Sequence, residues 1–233
     1  MYKSSLFCMA FLAVIAASAF ATTYEVGPGK PYTRIIDVPL ESLTAGDTVL
    51  IYYKSTPYYE KLITTGVGTA TQPIIIRGVA GPGGELPIID GQNAVSRLAL
   101  SWGSEARGLI CMQKGDATTI PPTCRPAYIT VENLELRNAS VPYTFTSDDG
   151  VTTSYVNNTA AWWMTDGRNI TFRNCYIHHC GNGPFTYTLD AGADCWTENI
   201  LVEGNYINAC GNAGSTQEHN SYTESLNVTF QYN

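Results

Sequence analysis

A short alternation of apolar and polar positions returns along the second half of the chain. It runs Ile129-Thr130-Val131-Glu132-Asn133-Leu134-Glu135-Leu136, then Asn169-Ile170-Thr171-Phe172-Arg173-Asn174-Cys175-Tyr176-Ile177. It returns as Asn199-Ile200-Leu201-Val202-Glu203-Gly204-Asn205-Tyr206-Ile207 and as Asn227-Val228-Thr229-Phe230-Gln231-Tyr232-Asn233. Period-two alternation sends every second side chain to the same face, so each unit predicts a strand, a polar turn and a second short strand. Ile129, Ile170, Ile200 and Val228 are equivalent, at spacings of 41, 30 and 28 residues. The stretches that follow two of the units also match, His178-His179-Cys180-Gly181-Asn182-Gly183 against Asn208-Ala209-Cys210-Gly211-Asn212-Ala213. A helical repeat needs apolar residues at i, i+3 and i+4 and better helix formers than Thr, Asn, Gly and Tyr. The pattern therefore predicts an all-β solenoid, one domain spanning residues 22–233.

Stacked coils place like on like. Asn205 over Asn233 predicts an amide ladder, and Cys180 over Cys210 predicts either a disulfide or a pair of buried thiols. In the first half, Val49 to Tyr52 and Ile74 to Ile76 are set 25 residues apart, with Pro87-Ile88-Ile89-Asp90 following. Gly66 to Gln72 and Gly78 to Gly84 read as turns. The sequence stops at Asn233, inside its recurring unit, so downstream coils or a capping partner are expected over the last strand edges.

Lys3, the apolar run Leu6 to Ala17 and Ala19-Phe20-Ala21 form a secretory signal peptide over residues 1–21, which predicts an extracellular or periplasmic protein. The run is too short for a membrane span. In an oxidising compartment the six remaining cysteines favour disulfides, with Cys111–Cys124 the most local pairing, and no C-x2-C spacing suggests zinc. Asn-x-Ser/Thr triplets at Asn138, Asn157, Asn169 and Asn227 matter only in a eukaryotic host. With 13 Lys+Arg against 20 Asp+Glu the formal charge is −7, and no basic cluster offsets it, so a nucleic-acid partner is not expected.

The Asn-hydrophobic-Thr-hydrophobic-x-x-Asn unit resembles the repeat of the pectate-lyase-like right-handed parallel β-helix superfamily. The stretches Thr44-Ala45-Gly46-Asp47-Thr48-Val49, Gly68-Thr69 through Gln72-Pro73-Ile74-Ile75-Ile76, and Ile89-Asp90-Gly91 are similar to the opening coils of chondroitinase-B-like and alginate-lyase-like enzymes. The resemblance implies three strands per coil. Segments such as Ile170 to Phe172 would be second strands and Tyr176-Ile177 a third. First strands would be Ala161 to Thr165, a stretch near Phe185 to Leu189, and Asn220 to Thr223. It also implies a substrate groove along the first sheet and a secreted lyase that cleaves an acidic, uronate-containing polysaccharide by β-elimination. The same scaffold hosts other functions. A noncatalytic glycan-binding or structural solenoid, and a hydrolase with paired carboxylates, are therefore the alternatives.

The expected groove collects the unusual residues. His219 or Tyr222 is the candidate base, with Glu218 and His179 beside them as catalytic candidates. Trp162, Trp163, Tyr187 and His178 are the candidate substrate-binding residues, since sugar CH faces stack on rings. Asp190, Asp194 and Glu224 are candidate ligands for Ca²⁺, which takes several oxygens. Counting back three from Asn169 and Asn227 gives Asp166 and Glu224, which reads as one recurring coil position. Such lyases also use Lys or Arg near the base. Beyond Arg173 there is none, which leaves Arg168 and Arg173, or residues in downstream coils.

Overall fold

The computed structural model describes residues 21–98, 103–113, 126–189 and 196–233. Among them the fold is all-β, with short 3-10 turns as its only helices. One sheet has seven strands in the order Thr23–Val26, Thr48–Tyr52, Ile74–Val79, Ala127–Glu132, Arg168–Arg173, Glu198–Glu203 and Leu226–Gln231. A four-stranded sheet holds Ile88–Asp90, Glu135–Arg137, Tyr176–His178 and Tyr206–Asn208. A five-stranded sheet holds Leu62–Thr64, Gly108–Met112, Ala160–Thr165, Asn182–Tyr187 and Tyr222–Glu224. Every neighbouring pair in these three sheets is parallel. From Ile74 onward the chain visits the seven-, four- and five-stranded sheets in turn, then returns one strand further along. This topology is consistent with a β-helix.

The predicted register holds in the second half: Ile129 pairs with Ile170, Ile170 with Ile200 and Ile200 with Val228. The 41-residue interval is longer than the others because it contains an extra hairpin, Thr144–Thr146 against Thr152–Ser154, the one antiparallel pairing among the described strands. In the first half the expected offset of 25 is corrected. Val49 pairs with Ile76, an offset of 27. A slip of two keeps every side chain on its face, which is why alternation alone did not resolve it.

Inward positions of the seven-stranded sheet form the row Val49, Ile76, Val131, Phe172, Val202, with Phe230 last. The first five are buried. Outward positions one residue on form Arg77, Glu132, Arg173, Glu203, Gln231, a ladder that alternates in sign as far as Glu203 and ends in a neutral amide. Glu132 accepts from Arg77 and, at 2.6 Å, from Arg173, while Gln231 Nε2 donates to Glu203 at 2.7 Å.

The corners rely on left-handed residues. Asn169, Asn199 and Asn227 (φ 55°, 57° and 51°) open successive strands, and their amides bond in sequence at 3.3 and 3.1 Å. Asn tolerates this region better than most residues, which is why it recurs there. The expected Asn205–Asn233 ladder is present. Asn205 Nδ2 donates to Asn233 Oδ1 at 2.9 Å and to Phe172 O at 3.1 Å, while its Oδ1 accepts from Cys175 N at 3.0 Å.

The disulfide expectation is corrected for the described cysteines: Cys111, Cys175, Cys180 and Cys210 are free thiols. Cys111 is fully buried with its Sγ donating to Gly108 O at 3.4 Å. Cys180 donates likewise to His178 O at 3.4 Å, so the Cys180–Cys210 alternative resolves to thiols. Cys124 and Cys195, and residues 1–20 of the expected signal peptide, lie outside the described residues. No helix among the described residues is long and apolar enough to cross a membrane.

Candidate glycan-binding face

The outer face of the five-stranded sheet is built by register. Trp163, Phe185 and Tyr222 stand side by side on adjacent strands, and Tyr187 pairs with Glu224 two positions further along. The Phe185 and Tyr222 rings stack at 4.6 Å with planes 10° apart, and His219 continues the stack on Tyr222 at 6.3 Å and 9°. Tyr187 meets Phe185 edge-on at 5.8 Å and tilts against Trp163 at 6.0 Å. Cys111 and Ile63 continue the row on the next two strands, and with Ala160 and Trp163 they form a small apolar cluster separate from the main interior. His219 is exposed and Tyr222 half-buried, so the outer rings of the stack are open to a ligand.

His219 is anchored through its backbone, whose N–H donates to Asn182 Oδ1 at 2.7 Å. The Tyr222 hydroxyl donates to Glu224 Oε1. That hydrogen bond raises the Tyr222 pKa. A base must shed its proton easily, so Tyr222 is poorly suited to that role and His219 is the better placed of the two candidates. Burial raises the Tyr187 pKa, Arg107 opposes the shift, and Asp166 and Glu224 add to it. Three charged groups therefore act on one phenol. Arg107, which carries no mark of the repeat, is a described cation whose charge reaches Tyr187. It lies just before Gly108–Met112, which the pairing with Ala160–Thr165 joins to the same sheet, so its backbone stands at the Gly181 end.

Several nominated residues are elsewhere. Trp162 is fully buried and stacks on Phe172 at 4.7 Å inside the fold, so it offers no face to a sugar. Trp163 is 1% exposed and flanks Phe185 in the same row rather than presenting a face to solvent. The reason is parity: neighbouring residues on a strand point to opposite faces, and both faces are covered here. His178 and His179 belong to the four-stranded sheet and its following turn, not to this platform. Arg173 is committed to Glu132, and Arg168 sits in the seven-stranded sheet. Asp166 does not share a coil position with Glu224, which pairs with Tyr187, itself paired with Thr165.

Glu218 is buried at the opposite end of the sheet, where Asn158 N donates to its Oε1 at 3.3 Å. It contacts the level of Gly181, six residues from Tyr187, and at roughly 3.3 Å per residue that places it on the order of 20 Å from the Glu224 level. Paired carboxylates of glycosidases stand about 5–9.5 Å apart, so Glu218 and Glu224 are not such a pair. Asp190 and Asp194 lie outside the described residues. No group of three or more His, Cys, Asp or Glu side chains among the described residues converges to hold a metal. Glu224 alone of the nominated calcium ligands is placed on the platform among the described residues.

Compared with known protein families, characterised proteins and solved structures, the chain gives no match. The case for function rests on the face itself.

Proposed function

We propose that this chain is a secreted right-handed parallel β-helix protein that lays an acidic polysaccharide across the outer face of its five-stranded sheet and cleaves it by β-elimination. The observation that supports this most is the run of near-parallel rings, Phe185, Tyr222 and His219, beside the carboxylate of Glu224. Sugars present CH faces to aromatic rings and hydroxyls to carboxylates, and this surface offers both.

In the reaction His219 takes the proton α to the uronate carboxylate. The released electron pair forms the C4–C5 double bond, the glycosidic C4–O bond breaks, and the departing oxygen takes a proton from solvent. A cation must offset the uronate carboxylate as negative charge builds on it. We assign this role to Arg107, whose charge reaches the Tyr187 phenol. Tyr222 and Phe185 position the ring, and Glu224 holds Tyr222 in place.

Electrophoresis through gels containing alginate, pectate or chondroitin tests the binding half. The wild type is expected to be retarded by at least one polymer and Tyr222→Ala to run freely in it. Equal retardation of both would sink the platform. A retarded protein that yields no unsaturated product would instead favour the noncatalytic glycan-binding reading.

A further inference from the structure

A second cluster lies on the four-stranded sheet, away from the aromatic platform. His178 and His179 are consecutive, and in a regular strand their side chains would point to opposite faces. His179 instead has φ 54°, and the two rings meet edge to face with centroids 4.9 Å apart. The left-handed turn belongs to the coil rather than to histidine, because Asn138 and Ala209 adopt it in the neighbouring coils (φ 59° and 47°). The two Nδ1 atoms face each other at 2.6 Å, closer than the roughly 2.7–3.2 Å of ordinary N–H hydrogen bonds.

The tautomer of His178 is set from behind. Its Nε2 lies 3.2 Å from Glu135 Oε1 and donates to it, which leaves the lone pair of the neutral ring on Nδ1. Glu135 is held in turn by Arg137 at 3.2 Å, and Arg137 by Asp90 at 2.7 Å. Tyr176 stacks on the His178 ring at 4.3 Å and limits its rotation. A carboxylate behind an imidazole, itself fixed by a further partner, is the arrangement that orients metal-bound histidines. Asn208, in register with His178 on the next strand, carries a buried Oδ1 that has no hydrogen-bond partner.

We propose that His178 and His179 form a chelating site for a divalent first-row transition ion, with Glu135 as the residue that positions His178. Binding moves the shared proton of His179 from Nδ1 to Nε2 on its exposed ring, so both Nδ1 lone pairs reach the ion and no net proton is released. Metal–nitrogen bonds of about 2.0–2.1 Å at a right angle need the nitrogens about 3 Å apart. The nitrogens must therefore part by a few tenths of an ångström, and each ring must turn its lone pair about 45° off the N···N line toward the ion. Asn208 Oδ1 is the available third protein donor, and solvent completes the shell. Two imidazoles favour Cu²⁺ over Ni²⁺ and Zn²⁺.

Calorimetric titration of the folded protein with Cu²⁺, Ni²⁺ and Zn²⁺ tests this. The wild type is expected to bind one equivalent, Cu²⁺ most tightly. His179→Asn keeps a residue suited to the left-handed turn, and its affinity should fall at least about tenfold. Glu135→Gln should weaken binding by about 10–100-fold. His219→Asn should bind as the wild type does. No saturable binding, or equal affinity in His179→Asn, would overturn the proposal. If that variant does not fold, nitrogen NMR of the wild type decides. Zn²⁺ should shift the Nδ1 signals of two of the three histidines, and unmoved signals would overturn it equally.

Discussion

Lys61 shows how far a single residue can depart from its ordinary chemistry in this fold. It is 1% exposed, donates to Gly108 O, and lies over the Phe145 and Tyr155 rings at 4.2 and 4.5 Å. Burial lowers its pKa to about 8 from 10.5, with Cys111 and Glu105 opposing the shift. The folded state thus loses this proton at a lower pH than the unfolded chain does, and stability contributed by Lys61 rises between about pH 8 and 10.5. Burial also raises Cys111 to about 11 from 9.0, and that contribution falls as pH climbs from 9.0 through 11. Chemical denaturation at pH 7, 8 and 9 should therefore show stability increasing across this range in the wild type, and Lys61→Met should flatten the increase. A wild-type decline from pH 7 to 9 that Lys61→Met leaves unchanged would show that the buried amine does not govern this window.

At the scale of elements, corners and ladders carry the fold. Asn205 satisfies backbone groups of one coil while bonding the amide of the next. Asn205→Ala leaves those groups unsatisfied and should cost about 2–3 kcal/mol in urea denaturation. Glu132 serves two arginines on the outer ladder. Burial opposes its ionisation, but Arg173 and Arg77 outweigh that and hold its pKa below the usual carboxylate value. Its contribution is present at neutral pH and is lost as pH falls below 4.5. Because Arg77 and Arg173 are 45% and 40% exposed, solvent screens the pairs, and Glu132→Gln should cost only about 1 kcal/mol at pH 7. The same substitution should narrow the gap from the wild type in acid, measured at pH 3. These elements were legible in the sequence, since period-two alternation and recurrent Asn survive stacking unchanged. The first-half offset was not, because alternation is blind to a shift of two.

At the scale of the whole molecule, the residues that repeat differ from those of the proposed site. Residues that recur, such as the Ile170 row and Asn205, could be placed from the sequence because each coil constrains the next. Tyr222 and His219 stood out by chemistry; the sheet register puts Tyr222 against Phe185, and His219 stacks on Tyr222. Trp162 and Trp163 misled because adjacent aromatics announce size, whereas exposure depends on what packs over each face. Arg107 stayed hidden because its electrostatic effect on Tyr187 links strands far apart in sequence. The end formed by Leu226–Gln231 shows the same dependence: Phe230, at the end of the buried Phe172 and Val202 row, is 42% exposed.

The claim that this face binds and cleaves uronate polymers is tested most directly by ultraviolet absorbance of unsaturated uronate, with folded protein and alginate, pectate or chondroitin. The absorbance should rise with the wild type on at least one polymer and stay at baseline with His219→Ala, while circular dichroism shows both proteins folded. A flat trace for the wild type on all three polymers, or an equal rise with His219→Ala, would contradict it.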